Sequence, residues 1–200
     1  KKLGIEKPEE YKNKIVVLTI GRFGREKSQD TLIKALYKSK YKDNIQLILA
    51  GLGPNEKKYR KLSKNLPIQP KFEFLSRDEI IKVINYSDIY VHPADIELEG
   101  IACLEAIACG KCTIVSDSNL SATRNFAIDE TCIIKKRDEK DLARVLDNFI
   151  ENEALRKEYE KKYDACYKEA ENLLKTNGYS VYTSLSLETQ ALVQSQVDEA

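Results

Sequence analysis

Residues 91–117 read VHPADIELEGIACLEAIACGKCTIVSD. An apolar strand end runs into Pro93, and three acids (Asp95, Glu97, Glu99) and Gly100 follow as a loop. An apolar helix then reaches Cys109-Gly110, and Cys112 opens a second strand rich in β-branched residues. Strand, loop, helix and strand in this order make one βαβ unit, the connection that parallel strands require.

The pattern repeats outward in both directions. Residues 15–20 (IVVLTI) are a continuous apolar, β-branched run of the kind that a strand buried on both faces needs, and residues 45–50 (IQLILA) are the second strand. Shorter strands are expected at 71–75, 88–92, 112–116 and 131–134. Between them the spacing predicts helices at about 28–41, 55–65, 77–86 and 100–109. The first is capped by Ser28 or Asp30. A helix over 138–150 is capped by Asp138, and a long charged helix covers 153–174. The expected fold is therefore an α/β, Rossmann-like, doubly wound parallel sheet of about six strands with helices on both faces. Residues 1–14 are expected to be a polar linker, 15–176 the folded domain and 177–200 a tail.

Composition narrows the function classes. Lys+Arg 33 against Asp+Glu 32 gives a net charge of +1, so nothing favours nucleic acid as a partner. No apolar run approaches the roughly 18 residues that a membrane span needs. Five cysteines (Cys103, Cys109, Cys112, Cys132, Cys166), odd in number and mostly in apolar surroundings, suit reduced thiols in the cytoplasm. The pair Cys109/Cys112 ends a helix, where the dipole disfavours a thiolate, so a redox motif is not expected. The lone histidine, His92, leaves a zinc site short of ligands and is read as a strand-end residue with a local partner. The basic cluster at 57–64 is read as a solvated face, with contact to anionic lipid as the alternative. Starting at Lys1 and containing no methionine, the chain is expected to be part of a longer protein.

Ligands of doubly wound sheets bind beyond the carboxyl ends of the strands, so the loops at 21–27, 51–54, 75–78, 93–100 and 116–124 carry the chemistry. A helix starting near Gly100 offers the amides of Gly100, Ile101 and Ala102 to a phosphate. Glycine there lets an anion approach the backbone. Glu105, four residues after Ile101, leans back over that turn and can accept from a pair of hydroxyls. Glu97, on the ligand side, fits beside a phosphate only if something neutral and rich in hydroxyls lies between, as in a sugar phosphate. Acids favoured at a helix start by the dipole give the same spacing, and spacing alone leaves both readings open. Arg22 and Lys27, close together after the first strand, can hold a diphosphate, and a solvated loop gives the same residues.

Five motifs fall in order: Gly21-Arg22-x4-Lys27, Ala50-Gly51-Leu52-Gly53-Pro54, Phe74-Leu75-Ser76, residues 86–93 (YSDIYVHP), and Glu97-x7-Glu105. Over about residues 15–174 the chain resembles the C-terminal, donor-binding domain of the retaining GT-B glycosyltransferases marked by a Glu-x7-Glu motif. Residues 96–106 and 120–127 are most similar to bacterial enzymes that glucosylate sterols or diacylglycerol.

The resemblance implies that Arg22 and Lys27 grip the diphosphate and Glu97 holds sugar hydroxyls near the reacting carbon. The amides of Gly100 and Ile101, with Ala102 beside them, meet phosphate or sugar, and Glu105 meets the ribose. Leu75, Ser76 and Arg77 read the base by their backbone, and Gly21, Gly51 and Gly53 leave room for the nucleotide. Glu99 faces the substrate without a separate task. The implied donor is UDP-glucose, with no cofactor and no metal. The implied acceptor is a lipid, sterol or glycan held by an N-terminal domain absent from this chain, with peripheral contact at the inner face of the cell membrane. A sugar-nucleotide epimerase or phosphorylase, or a non-catalytic module using the 153–174 helix, are the rival readings.

Overall fold

The computed structural model describes residues 3–176. The expected tail at 177–200 lies outside the described residues. The chain divides into two units, Lys1–Tyr167 and Lys168–Ala200. What is described of the second is only the end of the last helix.

Six parallel strands form one sheet: β1 (Ile15–Ile20), β2 (Ile45–Ala50), β3 (Lys71–Glu73), β4 (Ile89–His92), β5 (Cys112–Asp117) and β6 (Ile133–Lys135), in the order β3-β2-β1-β4-β5-β6. Helices α1 (Gln29–Lys38), α2 (Glu56–Ser63), α3 (Arg77–Tyr86), α4 (Ile101–Ala108), α5 (Glu139–Glu151) and α6 (Glu153–Thr176) connect or follow the strands. The expected α/β doubly wound sheet is what forms. Chain direction around the sheet reverses between β1 and β4. The loops after these two strands therefore diverge and open a crevice at the strand ends.

Alternation along each strand supplies two cores. Val17, Leu47, Ile89 and Ile114 face α1, α2, α5 and α6. Val16, Leu18, Tyr90 and Val115 face α3 and α4. Because both faces are covered, polar alternation is absent from β1 and β2, and even their polar residues, Thr19 and Gln46, are buried. Tyr159 and Tyr163 commit one face of α6 to the first core, and the Tyr163 hydroxyl donates to the Thr113 carbonyl at 3.2 Å.

Several local expectations shift. Ser28 stands at the start of α1 but at φ +52°, and its hydroxyl donates back to the Arg25 carbonyl instead of capping the helix. Asp30 is occupied by Lys58, at 3.0 Å. Strand β3 is shorter than expected, and β6 begins only after a 3-10 turn at Glu130–Cys132. Residues 3–14 are held against the body: Tyr11 is buried, and Lys7 pairs with Asp88 at 2.6 Å. All five cysteines are free thiols and all but Cys166 are buried. Burial pushes the Cys112 thiol well up, away from thiolate chemistry.

Asp138 caps α5 as expected, accepting from the amides of Lys140 and Asp141 at 2.9 and 3.0 Å. Asp138→Ala is expected to cost about 1 kcal/mol. In a domain of this size that lowers the melting temperature by roughly 2–4 °C, readable in a calorimetric scan.

Candidate functional site

Recesses open at the carboxyl ends of the strands, and two of them bear on the expected residues. The first, about 410 Å3, is lined by Glu26, Lys27, Ile96, Glu97, Leu98 and Glu99. The second, about 330 Å3, lies over β1, β2 and β3, where Gly21, Arg22, Gly51, Leu75 and the 75 % exposed Phe74 meet.

In the first recess the Lys27 ammonium donates to Glu97 Oε2 at 2.6 Å, although the two residues lie 70 positions apart. Both side chains are largely withdrawn from solvent, at 20 and 16 % exposure. His92 Nε2 lies 3.1 Å from the same oxygen. Those two donors hold the Glu97 carboxyl down at about 2, the His92 bond first and Lys27 next, against the opposing effect of burial.

The ionised Glu97 can only accept, so His92 Nε2 must carry a proton. Nδ1 can then accept from the Tyr90 hydroxyl, 3.2 Å away. Tyr90 is fully buried, and burial pushes its phenol well up, so the phenol keeps its proton and remains able to donate. The pair Tyr90 and His92 occupies one face of β4 at a spacing of two, which is how a strand aligns side chains. His92 is thus the strand-end residue with local partners that was expected, and one of those partners is the site acid Glu97. The available signal was that parity, together with the position of His92 just before the loop carrying Glu97.

The other expected residues separate. Arg22 is mostly exposed, lines the second recess and lies 3.9 Å from Glu26. Glu99 lines the first recess beside Glu97. Glu105 is exposed on α4, Ile101 is 59 % exposed, and Ala102 is half-buried.

Leu75 contributes to the second recess, and Ser76 and Arg77 start α3. The Ser76 amide is already taken by the Glu79 carboxylate at 2.8 Å in a capping box. That box holds Glu79 below the usual carboxylate range.

The glycines answer to the protein itself. A Cβ on Gly51 would stand 2.2 Å from the Gly21 carbonyl oxygen, and one on Gly53 would stand 2.6 Å from the Phe23 nitrogen. They let the loop after β1 close onto the loop after β2. Gly100 starts α4 at φ +68°, and a Cβ there would lie 2.4 Å from Thr123 Cγ2. The space a side chain would take there is filled by Thr123 and Phe126.

Comparisons with known proteins agree with this architecture. The family described as "Glycosyl transferases group 1" matches residues 2–170. An uncharacterized glycosyltransferase of Bacillus subtilis, YqgM, is 32% identical over 147 residues, which is 70% of this chain and 40% of that protein. A second uncharacterized glycosyltransferase, MJ1069 of Methanocaldococcus jannaschii, is 28% identical over 76% of the chain and 40% of its own length. The chain thus spans about 40% of these curated relatives. The crystal structure of the catalytic domain of cholesterol-alpha-glucosyltransferase from Helicobacter pylori superposes with a TM-score of 0.75 and 38% identity, covering 78% of this chain and 98% of that one.

Proposed function

The chain belongs to the group 1 glycosyl transferases, and from that premise we propose that it is the donor-binding domain of a retaining enzyme using UDP-glucose. The observation that carries this reading is the cluster of Lys27, His92 and Glu97 at the crevice between β1 and β4. An ionised carboxylate fixed by two donors, within a recess of sugar size, suits a neutral ligand that offers hydroxyls. The flanking cations and the start of α4 suit the diphosphate beyond it.

The ligand-free pairing suggests how the donor enters. Lys27 moves from Glu97 to the diphosphate, and Glu97 accepts from sugar hydroxyls while His92 keeps hold of it. As the bond between the anomeric carbon and the diphosphate breaks, negative charge grows on the leaving phosphate. Lys27, Arg22 and the first amides of α4 stabilise that charge without a metal. The leaving phosphate takes the proton of the incoming acceptor hydroxyl, so the new bond forms on the face that the phosphate leaves. Uracil takes the second recess, against Leu75 and Phe74, and Glu105 meets the ribose. The likeness to the cholesterol-alpha-glucosyltransferase domain supports glucose as the sugar and a sterol or other membrane lipid as the acceptor. Among the described residues no helix is long and apolar enough to cross a membrane.

Calorimetric titration of the chain with UDP, UDP-glucose and GDP-mannose tests the donor. UDP-glucose is expected to bind most tightly. Glu105→Ala is expected to weaken UDP by about tenfold, the cost of losing one charge-assisted hydrogen bond. Absence of heat with all three nucleotides, or tighter binding of GDP-mannose, overturns the reading.

A further inference from the structure

Beside the Lys27–Glu97 recess lies another of about 500 Å3, lined by Arg25, Glu26, Asp95, Ile96, Leu120, Lys136 and Arg137. Arg137 sits in the turn after β6 at φ +55°, a left-handed backbone that side chains with a Cβ seldom adopt. Such a conformation persists only where its surroundings impose it. Two contacts of its side chain hold it. Arg137 Nε donates to Asp95 Oδ2, and Nη2 reaches the Arg25 carbonyl at 3.5 Å.

Asp95 is a hub. Its side chain is 4 % exposed, and its second carboxylate oxygen is buried with no protein partner. Its amide donates to the Glu26 carbonyl at 2.8 Å, joined by the amide of Ile96 at 3.3 Å. Its carbonyl accepts from Ser118 Oγ at 2.6 Å. One guanidinium therefore ties the loop after β1 to the loop after β4, and those loops carry Lys27 and Glu97, each two residues further on.

Resting on the donor-binding reading, we propose that Arg137 is a positioning residue: through Asp95 and Arg25 it fixes the spacing of Lys27 and Glu97, and so the grip on the sugar of a nucleoside diphosphate sugar. The reason is electrostatic. Without Arg137, Asp95 is a buried carboxylate with no counter-charge, a state far costlier than the intact pair. The loop escapes that cost by turning Asp95 out to water, and Glu97 moves with it.

The discriminating variant is Arg137→Gly. Glycine accepts φ +55° without strain, so the turn is expected to keep its backbone and the chain to stay folded, with the melting temperature lowered only by the cost of freeing Asp95. Amide exchange measured by NMR should quicken about tenfold at Asp95 and Ile96 while the amides of β1 and β2 keep their rates. The preference of the chain for UDP-glucose over UDP, read by calorimetry, should fall by about tenfold. Arg137→Lys, which can reach Asp95 but has no fork for the Arg25 carbonyl, should restore part of it. Unchanged exchange at Asp95 and Ile96 overturns the proposal, and so does faster exchange with the sugar preference intact. A wild-type chain with no preference for UDP-glucose overturns the donor reading instead, and the exchange rates alone then decide whether Arg137 holds the loops.

Discussion

On the proposed donor-binding role, Glu97→Gln is expected to lower glycosyl transfer by roughly 10²-fold while leaving the affinity for plain UDP within about twofold. The substitution keeps volume and removes charge. Lys27 and His92 then face an amide in place of the carboxylate that organises them at 2.6 and 3.1 Å. Sugar hydroxyls lose the one ionised acceptor in the recess that is gripped by two donors. Arg22, the start of α4 and the second recess are untouched, and Lys27 keeps its charge, so UDP alone should report little change. Should Glu97→Gln weaken UDP as much as UDP-glucose, the assignment of Glu97 to the sugar is wrong.

The same variant has a pH signature. The folded carboxyl titrates at about 2, below the roughly 4.3 of an unfolded chain. A depressed carboxyl contributes stability that is present above the unfolded value and is lost as pH falls through the folded one. The melting temperatures of wild type and Glu97→Gln should therefore differ at pH 6 and converge as pH falls from about 4.3 toward 2. A gap that stays constant across that window would exclude an ionised, donor-bound Glu97.

Gly51→Ala is expected to be the most damaging single methyl in the fold. The added carbon would stand 2.2 Å from the Gly21 carbonyl oxygen and 2.9 Å from its carbon, and both are backbone that cannot rotate away. Gly51 also sits at φ +151°, which disfavours a side chain whatever the space. Overpacking with backbone strain costs about 3 kcal/mol. At 2–4 °C per kcal/mol, the melting temperature falls by roughly 6–12 °C. The loop after β1 is then pushed off the loop after β2, so nucleotide affinity should fall along with stability. An alanine variant that melts with the wild type would show that the two loops separate at little cost.

Much of the sheet was legible because its rules are local. A run as apolar as 15–20 suits burial on both faces, and Asp138 announces the start of a helix through its own side chain. The failures have physical causes as well. Ser28 looks like a cap until its left-handed backbone turns the hydroxyl toward Arg25. Gly51, Gly53 and Gly100 look like room for a ligand; Gly51 does line the second recess, but the space a Cβ would take at each is met by the protein's own Gly21, Phe23 and Thr123. A sequence shows that a side chain is missing but not what approaches the gap.

By itself the sequence determined the α/β alternation, the two covered faces of the sheet and the loops that would carry chemistry. It also determined the family, through motifs whose order survives without coordinates. Only the tertiary structure decided that Lys27 meets Glu97, that His92 holds the same oxygen, and that Arg137 reaches Asp95 across 42 positions. The reason is strand order. Hydrophobic period fixes which face a strand buries, not which strand lies beside it. Placing β1 next to β4, and β6 at the end of the row, is what brings those distant loops to one crevice.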